Sequence, residues 1–307
     1  MDPAEVVILP PETFDGPAVA PAGPAPSFSP VVADSTEHLW AVVVGISDYP
    51  GQSHDLAFAR NDADDMVAVL RGAGQPEAQR VTLTDGHASA ATIRAALDWL
   101  VAHAGPASTA VVYYAGHVRK LSSSTEALLA ADGQVVTDAE VAQHLAPLQA
   151  ARTWIVIAGC YGGGFTEVLR PGRILTGAAP ANSLAYETAT YHRSYLGEYL
   201  VNRGMLQGQG GPTVQSAFAY ATRELQREHP DRLPVQFDGG GGPLSLSEGR
   251  ASRGPAPSGA PPPSAAAAAP TRAPAPTTTT TAPPPSDGGG CLLTAGSLVS
   301  CPDRRED

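Results

Sequence analysis

The chain has 307 residues, 43% of them hydrophobic, a formal net charge of −11 and a pI of about 5.1. That acidic balance argues against a surface built to bind phosphate, so no nucleic-acid partner is expected. Its 30 prolines and 32 glycines are unevenly spread, which fits one domain of roughly 200 residues with loose ends better than two full domains.

Residues 1–37 read as a disordered, extended arm in which Pro and Ala recur without period. No basic stretch leading into an apolar one opens the sequence, so no signal peptide is expected. No apolar run reaches the roughly 20 residues that a membrane span needs. Leu39–Ile46 is a valine-rich run of the kind expected for a central parallel strand buried on both faces. Beyond the loop Ser47–Gly51, the segment Leu56–Leu70 sets Leu56, Ala59, Ala63, Met66, Val67 and Leu70 on one helical face, with Asp62 at its edge. Gly72 and Gly74 end it. Val81–Thr84 makes a short strand closed by the turn Asp85–Gly86, and Thr92–His103 an amphipathic helix.

Val111–His117 is a second central strand that finishes on Gly116 and His117. Lys120–Thr125 reads as a polar loop, and Glu126–Ala131 is ambiguous between strand and helix. Thr137 and Glu140 have capping-box spacing and open a helix that Pro147 ends or bends. Trp154–Cys160 is a third apolar strand, followed by Gly162–Gly164, and Arg173–Gly177 a further short one. The glycine run lacks the lysine and hydroxyl residue of a phosphate loop. Helices are expected over Ser194–Met205 and Val214–Glu228. From about Gly239 the composition shifts, and 246–307 reads as a disordered Pro/Ala/Thr-rich tail, with 38–245 as the folded domain. Strands alternating with helices imply an α/β fold, a mostly parallel sheet with helices on both faces.

Cys160 is the lone cysteine of the folded part, as a nucleophile would be, whereas Cys291 and Cys301 flank nine residues and suit a small disulfide loop in an oxidising compartment. The missing leader suggests the cytoplasm; the Thr/Pro tail and this cysteine pair keep a surface or secreted location open. If the His117 and Cys160 runs are neighbouring parallel strands, both side chains emerge at one sheet edge, where open α/β sheets place their active sites. A thiol beside an imidazole is a nucleophile and its base.

Four stretches, in order, then carry a resemblance: Trp40–Tyr49, Asn61–Ala63, Tyr113–His117 and Gly159–Phe165. Together they are similar to the caspase-like cysteine peptidases, particularly bacterial relatives of caspases and metacaspases, over about 38–240. Legumain-like peptidases, which share the fold and the order of His before Cys, are the nearest competitor. The resemblance implies a caspase-like three-layer sandwich, Cys160 as nucleophile, His117 as general acid and base, and an oxyanion hole from the backbone N–H groups of Cys160 and Val118. It implies a protein or peptide substrate and a monomer or weakly associating chain. Asp62 matches one family aspartate that holds a basic side chain N-terminal to the cut bond; Gly116 lies beside the histidine, and Glu187 is a second acid on offer.

Two positions depart from the family pattern. Val118 stands where glycine is usual, and Ala158 where many metacaspases carry a second aspartate. Some metacaspases need calcium; the sequence offers no basis for assigning its ligands here, so no cofactor is expected, with calcium activation left open. Arg170 and Arg173 are candidate points of self-cleavage. The competing function is a catalytically silent caspase-like module that binds partners through its sheet edge or proline-rich tail.

Overall fold

The computed structural model describes residues 4–6, 16–26, 28 and 39–247, all within one unit, Met1–Ala256. Cys291, Cys301 and most of the Pro/Ala/Thr-rich tail lie outside the described residues. The strands are β1 (Glu5–Val6), β2 (Leu39–Gly45), β3 (Arg80–Thr84), β4 (Thr109–Ala115), β5 (Val118–Ser122) and β6 (Thr125–Leu129), then β7 (Val135–Thr137), β8 (Arg152–Ala158), β9 (Arg173–Gly177), β10 (Glu187–Thr188), β11 (Arg193–Ser194) and β12 (Val235–Asp238). The α-helices are α1 (Ala59–Gly72), α2 (Ala90–His103), α3 (Asp138–Leu145) and α4 (Val214–Glu228), and a π-helix covers Gly197–Leu206.

The central sheet runs β12-β9-β8-β4-β2-β3, parallel throughout except for β12, which pairs antiparallel with β9. All seven residues of β2 are buried. Because side chains alternate across a strand, Val42 and Val44 face α2 and α3, and Ala41 and Val43 face α1, the π-helix and α4. Each face has its own core: Leu97, Leu100 and Ile155 on the first, Met66, Tyr113 and Trp154 on the second. Each such large apolar side chain contributes about 1.5–3 kcal/mol on burial. This is the three-layer arrangement expected of the α/β pattern.

Several elements depart from the sequence reading, each for a local reason. Helix α1 starts at Ala59 rather than Leu56 because the Glu187 carboxylate, 130 residues away in sequence, accepts the Ala57 and Phe58 N–H groups at 2.7 and 3.0 Å. The polar stretch Lys120–Thr125 is not a loop but the end of a hairpin: β5 pairs antiparallel with β6, with an irregularity between Lys120 and Ser122. Its polar residues mark an exposed face, and Lys120 ties the hairpin down by donating to Glu126 (2.5 Å) and the Ala181 carbonyl (2.8 Å). Glu126–Ala131 resolves as strand β6 and its exit. The helix expected over Ser194–Met205 starts one residue later, at Tyr195, and is wound as a π-helix from Gly197 to Leu206, with Ser194 in β11. The capping box at α3 forms as expected, Thr137 Oγ1 accepting from Glu140 N and Glu140 Oε2 from Thr137 N.

The N-terminal arm contacts the domain where it is described. Val19 N–H donates to the Ala131 carbonyl at 3.4 Å, and His87 Nε2 meets the Ala22 carbonyl at 2.9 Å. Residues 4–6 add a strand to a small second sheet, β1-β10-β11. At the other end, Leu244 is buried and its carbonyl accepts from Val214 N–H at the start of α4. Among the described residues no helix is long and apolar enough to cross a membrane.

Candidate active site

Strands β4 and β8 are parallel neighbours with Ala115 opposite Ala158. The next two residues of each, Gly116-His117 and Gly159-Cys160, therefore leave the sheet side by side at its carboxyl edge. The backbone at His117 is pinned from two sides: its N–H donates to the Tyr49 hydroxyl (2.8 Å), and its carbonyl accepts from the Tyr114 hydroxyl (2.6 Å). Only glycine fits before it, since a Cβ on Gly116 would sit 2.7 Å from the Tyr49 oxygen and 2.8 Å from that of Tyr114. Gly116→Ala is expected to destabilise the fold by about 1–3 kcal/mol through overpacking. Chemical denaturation reads this directly, and a change within 0.5 kcal/mol, roughly that of a surface substitution, would contradict it.

The His117 ring is 3% exposed, and its Nε2 lies 2.8 Å from the His54 carbonyl. A carbonyl only accepts, so Nε2 carries the proton and Nδ1 keeps its lone pair. The Tyr49 ring packs against the imidazole with centroids 4.7 Å apart. Burial drives the His117 pKa down to about 4, against the upward pull of the His54 carbonyl. Burial likewise pushes the Cys160 thiol up, against the N–H groups of Ala185 and of Cys160 itself. The resting pair is thus a neutral thiol and a neutral imidazole. Cys160 Sγ meets the Ala185 N–H at 3.3 Å and the Ala185 carbonyl at 3.7 Å. The following residue, Tyr161, takes a left-handed φ of 57°, a conformation uncommon outside glycine and concentrated at functional turns.

His117 and Cys160 share one cleft of about 410 Å³, open mouth included, with Gly116, Asp62, Ala158, Ser194 and the segment Ala185–Glu187. Asp62 is 1% exposed rather than a solvated helix acid, and its carboxylate accepts from Ser194 N–H at 3.2 and 3.3 Å. Burial raises its pKa to about 7, against those Ser194 hydrogen bonds. Gly197 at the head of the π-helix makes room for it, because a Cβ there would lie 2.1 Å from Asp62 Oδ1. Glu187 also borders the cleft, but both its carboxylate oxygens are engaged in capping the start of α1. It positions the cleft wall instead of presenting a free acid.

Val118 is buried in the core with a negative φ, so replacing glycine there brings no backbone strain. Arg173 sits in β9, 5% exposed, its guanidinium donating to the Val168 and Leu145 carbonyls; the chain cannot be cut there while folded. Arg170 is exposed. Sequence reasoning missed His54, Ala185, Tyr186 and Ser194. His54 and Ala185 act through backbone atoms, which leave no residue signature. Among the described residues no group of three or more His, Cys, Asp or Glu side chains is placed to hold a metal ion.

Comparison with known proteins agrees with this architecture. Residues 38–256 match the model of the caspase domain family. Among solved structures, protein GSU0716 from Geobacter sulfurreducens is similar in fold, with a TM-score of 0.54 and 16% sequence identity over 65% of this chain and 92% of that one. No curated protein matches the chain. The parallel sheet with His117 and Cys160 at its carboxyl edge, matched over most of the chain's length, makes this protein a member of the caspase-domain family of cysteine peptidases.

Proposed function

We propose that the chain is a cysteine endopeptidase that cuts peptide bonds after arginine or lysine through a Cys160–His117 dyad. The observation that supports this best is the state of His117: the His54 carbonyl holds Nε2–H and leaves the Nδ1 lone pair free to act as base, on a residue that lines the same cleft as Cys160. The carbonyl does the orienting that a carboxylate does in serine enzymes. Since the pair rests neutral, proton transfer accompanies attack. Cys160 Sγ adds to the scissile carbonyl as its proton passes to Nδ1. The tetrahedral oxyanion is received by the N–H groups of Cys160 and Val118, and loss of such a donor costs about 3–4 kcal/mol. The imidazolium then gives its proton to the leaving amine, and a thioester acyl-enzyme remains. Nδ1 next takes a proton from water, hydroxide adds to the thioester, and the returned proton frees the thiol.

Buried Asp62, in the same cleft and without a free second acid beside it, supports a basic side chain as the preferred residue before the cut. Ala158 leaves one carboxylate where many metacaspases carry two. Cleavage of a positional-scanning peptide library is expected to give Arg and Lys as the preferred residues at that position. Preference for Asn or Asp would overturn the specificity reading. Failure of electrophilic peptides with Arg, Lys, Asn or Asp there to label Cys160 would overturn the activity and favour a silent interaction module.

A further inference from the structure

The strand that borders the cleft already carries a peptide. Ala4–Val6 lies antiparallel on β10, with Glu5 opposite Thr188 and Val6 opposite Glu187, and Ala189 N–H donates to the Ala4 carbonyl at 3.0 Å. Two residues of pairing hold a chain weakly by themselves. A side-chain clamp does the rest: the Glu5 carboxylate takes both Arg232 Nε and Arg232 Nη2, the latter at 2.9 Å. The Arg232 guanidinium is stacked on the Tyr186 ring, 3.8 Å from its centroid. Glu5 is the one carboxylate that pairs with Arg232 among the described residues, and both partners are largely buried, at 7% and 15% side-chain exposure. A planar fork held flat by an aromatic ring is a carboxylate reader.

Register connects this clamp to the cysteine. In an antiparallel pair, mutually hydrogen-bonded positions alternate along the strand. Ala189 is bonded to the incoming chain, so Glu187 and Ala185 are the next bonding positions toward the cleft. Ala185 is the residue whose N–H and carbonyl contact Cys160 Sγ. An extended peptide in the register of β1 therefore places the residue three positions after its acid opposite Ala185, beside the thiol.

We propose that Arg232 and Tyr186 form a substrate subsite for a glutamate or aspartate three residues before the residue cleaved after, and that Glu5 fills this subsite in cis. The proposal deepens the peptidase reading and rests on it for the position of the cut. The cis segment competes with substrate for one edge of β10, a form of strand addition in which the ladder gives affinity and the side-chain clamp gives specificity.

Binding to the full-length Cys160→Ala protein tests this without turnover. The probes are fluorescent Glu-Ala-Ala-Arg-Ala-Ala and its Gln-first analogue, read by anisotropy. In a Cys160→Ala/Glu5→Gln background the glutamate peptide is expected to bind roughly tenfold tighter than the glutamine peptide. Adding Arg232→Gln should erase that preference, and Arg232→Lys, which keeps the charge but loses the fork, should erase most of it. With Glu5 intact, both peptides should bind more weakly. Equal affinity of the two peptides in the Glu5→Gln background overturns the subsite, whether or not the Arg232 variants fold. Replacing the probe's arginine by citrulline separates the two claims: a glutamate preference that persists while citrulline binds as well as arginine sinks the basic-residue reading and leaves the clamp standing.

Discussion

Cys160→Ala and His117→Ala are each expected to reduce cleavage of an arginine reporter peptide to background, a loss of about 10⁴-fold or more, with the double variant no worse than either alone. The three losses coincide because nucleophile and base act as one unit: once either is gone, the other has nothing to attack with or nothing to deprotonate. Neutral resting forms sharpen this expectation. With His117 held near a pKa of about 4 and the Cys160 thiol pushed up, there is no preformed thiolate to supply residual activity at neutral pH. His117→Ala removes a ring packed against Tyr49, so a thermal melt must show the variant folded before its activity is read. Folded Cys160→Ala protein that still cleaves the reporter would refute the dyad.

The parts of this site that were legible in the sequence are those written in side chains. The two apolar strands ending at Gly116-His117 and Gly159-Cys160 announce themselves by composition, and their register puts the two residues at one edge. Periodicity places Asp62 only at the margin of a helical face, and its match to a family aspartate marks it as a pocket residue without showing that it is buried. Its burial depends on Ser194, in β11, and on Gly197, at the start of the π-helix, both more than 130 residues away in sequence. The role of Glu187 was misread for a related reason: the N–H groups it caps lie 130 and 129 residues away. The hairpin β5–β6 was hidden because polar side chains on an exposed strand look like loop composition. The orienting carbonyl of His54 carries no sequence mark at all, since any residue provides one.

Asp62→Asn is expected to lower kcat/KM for arginine peptides by about 10- to 100-fold, the worth of a hydrogen-bonded charge, and to remove a pH dependence expected of the wild type. The folded pKa of Asp62 is about 7, raised by burial. An arginine side chain entering the cleft needs the ionised form, so below pH 7 binding must displace a proton. Arginine-peptide affinity should then rise up to tenfold per pH unit toward 7 and level off above it. A citrulline analogue should show no such slope, and neither should Asp62→Asn. Stability moves the opposite way. Because the folded carboxyl holds its proton more tightly than the unfolded one, whose pKa is near 3.8, stability falls as pH rises from about 4 to 7. His117, depressed from 6.5 to about 4, opposes it: the unfolded imidazole binds the proton first, so stability rises with pH over 4 to 6.5. Either contribution is at most about 4 kcal/mol. In wild type they largely cancel below pH 6.5. Asp62→Asn should remove the falling contribution and leave the His117 slope uncancelled, so that the variant gains more stability than wild type between pH 4 and 6.5 in urea titrations. An unchanged pH profile in the variant would mean that Asp62 is ionised throughout, and with that the buried proton at the cleft would have to be abandoned.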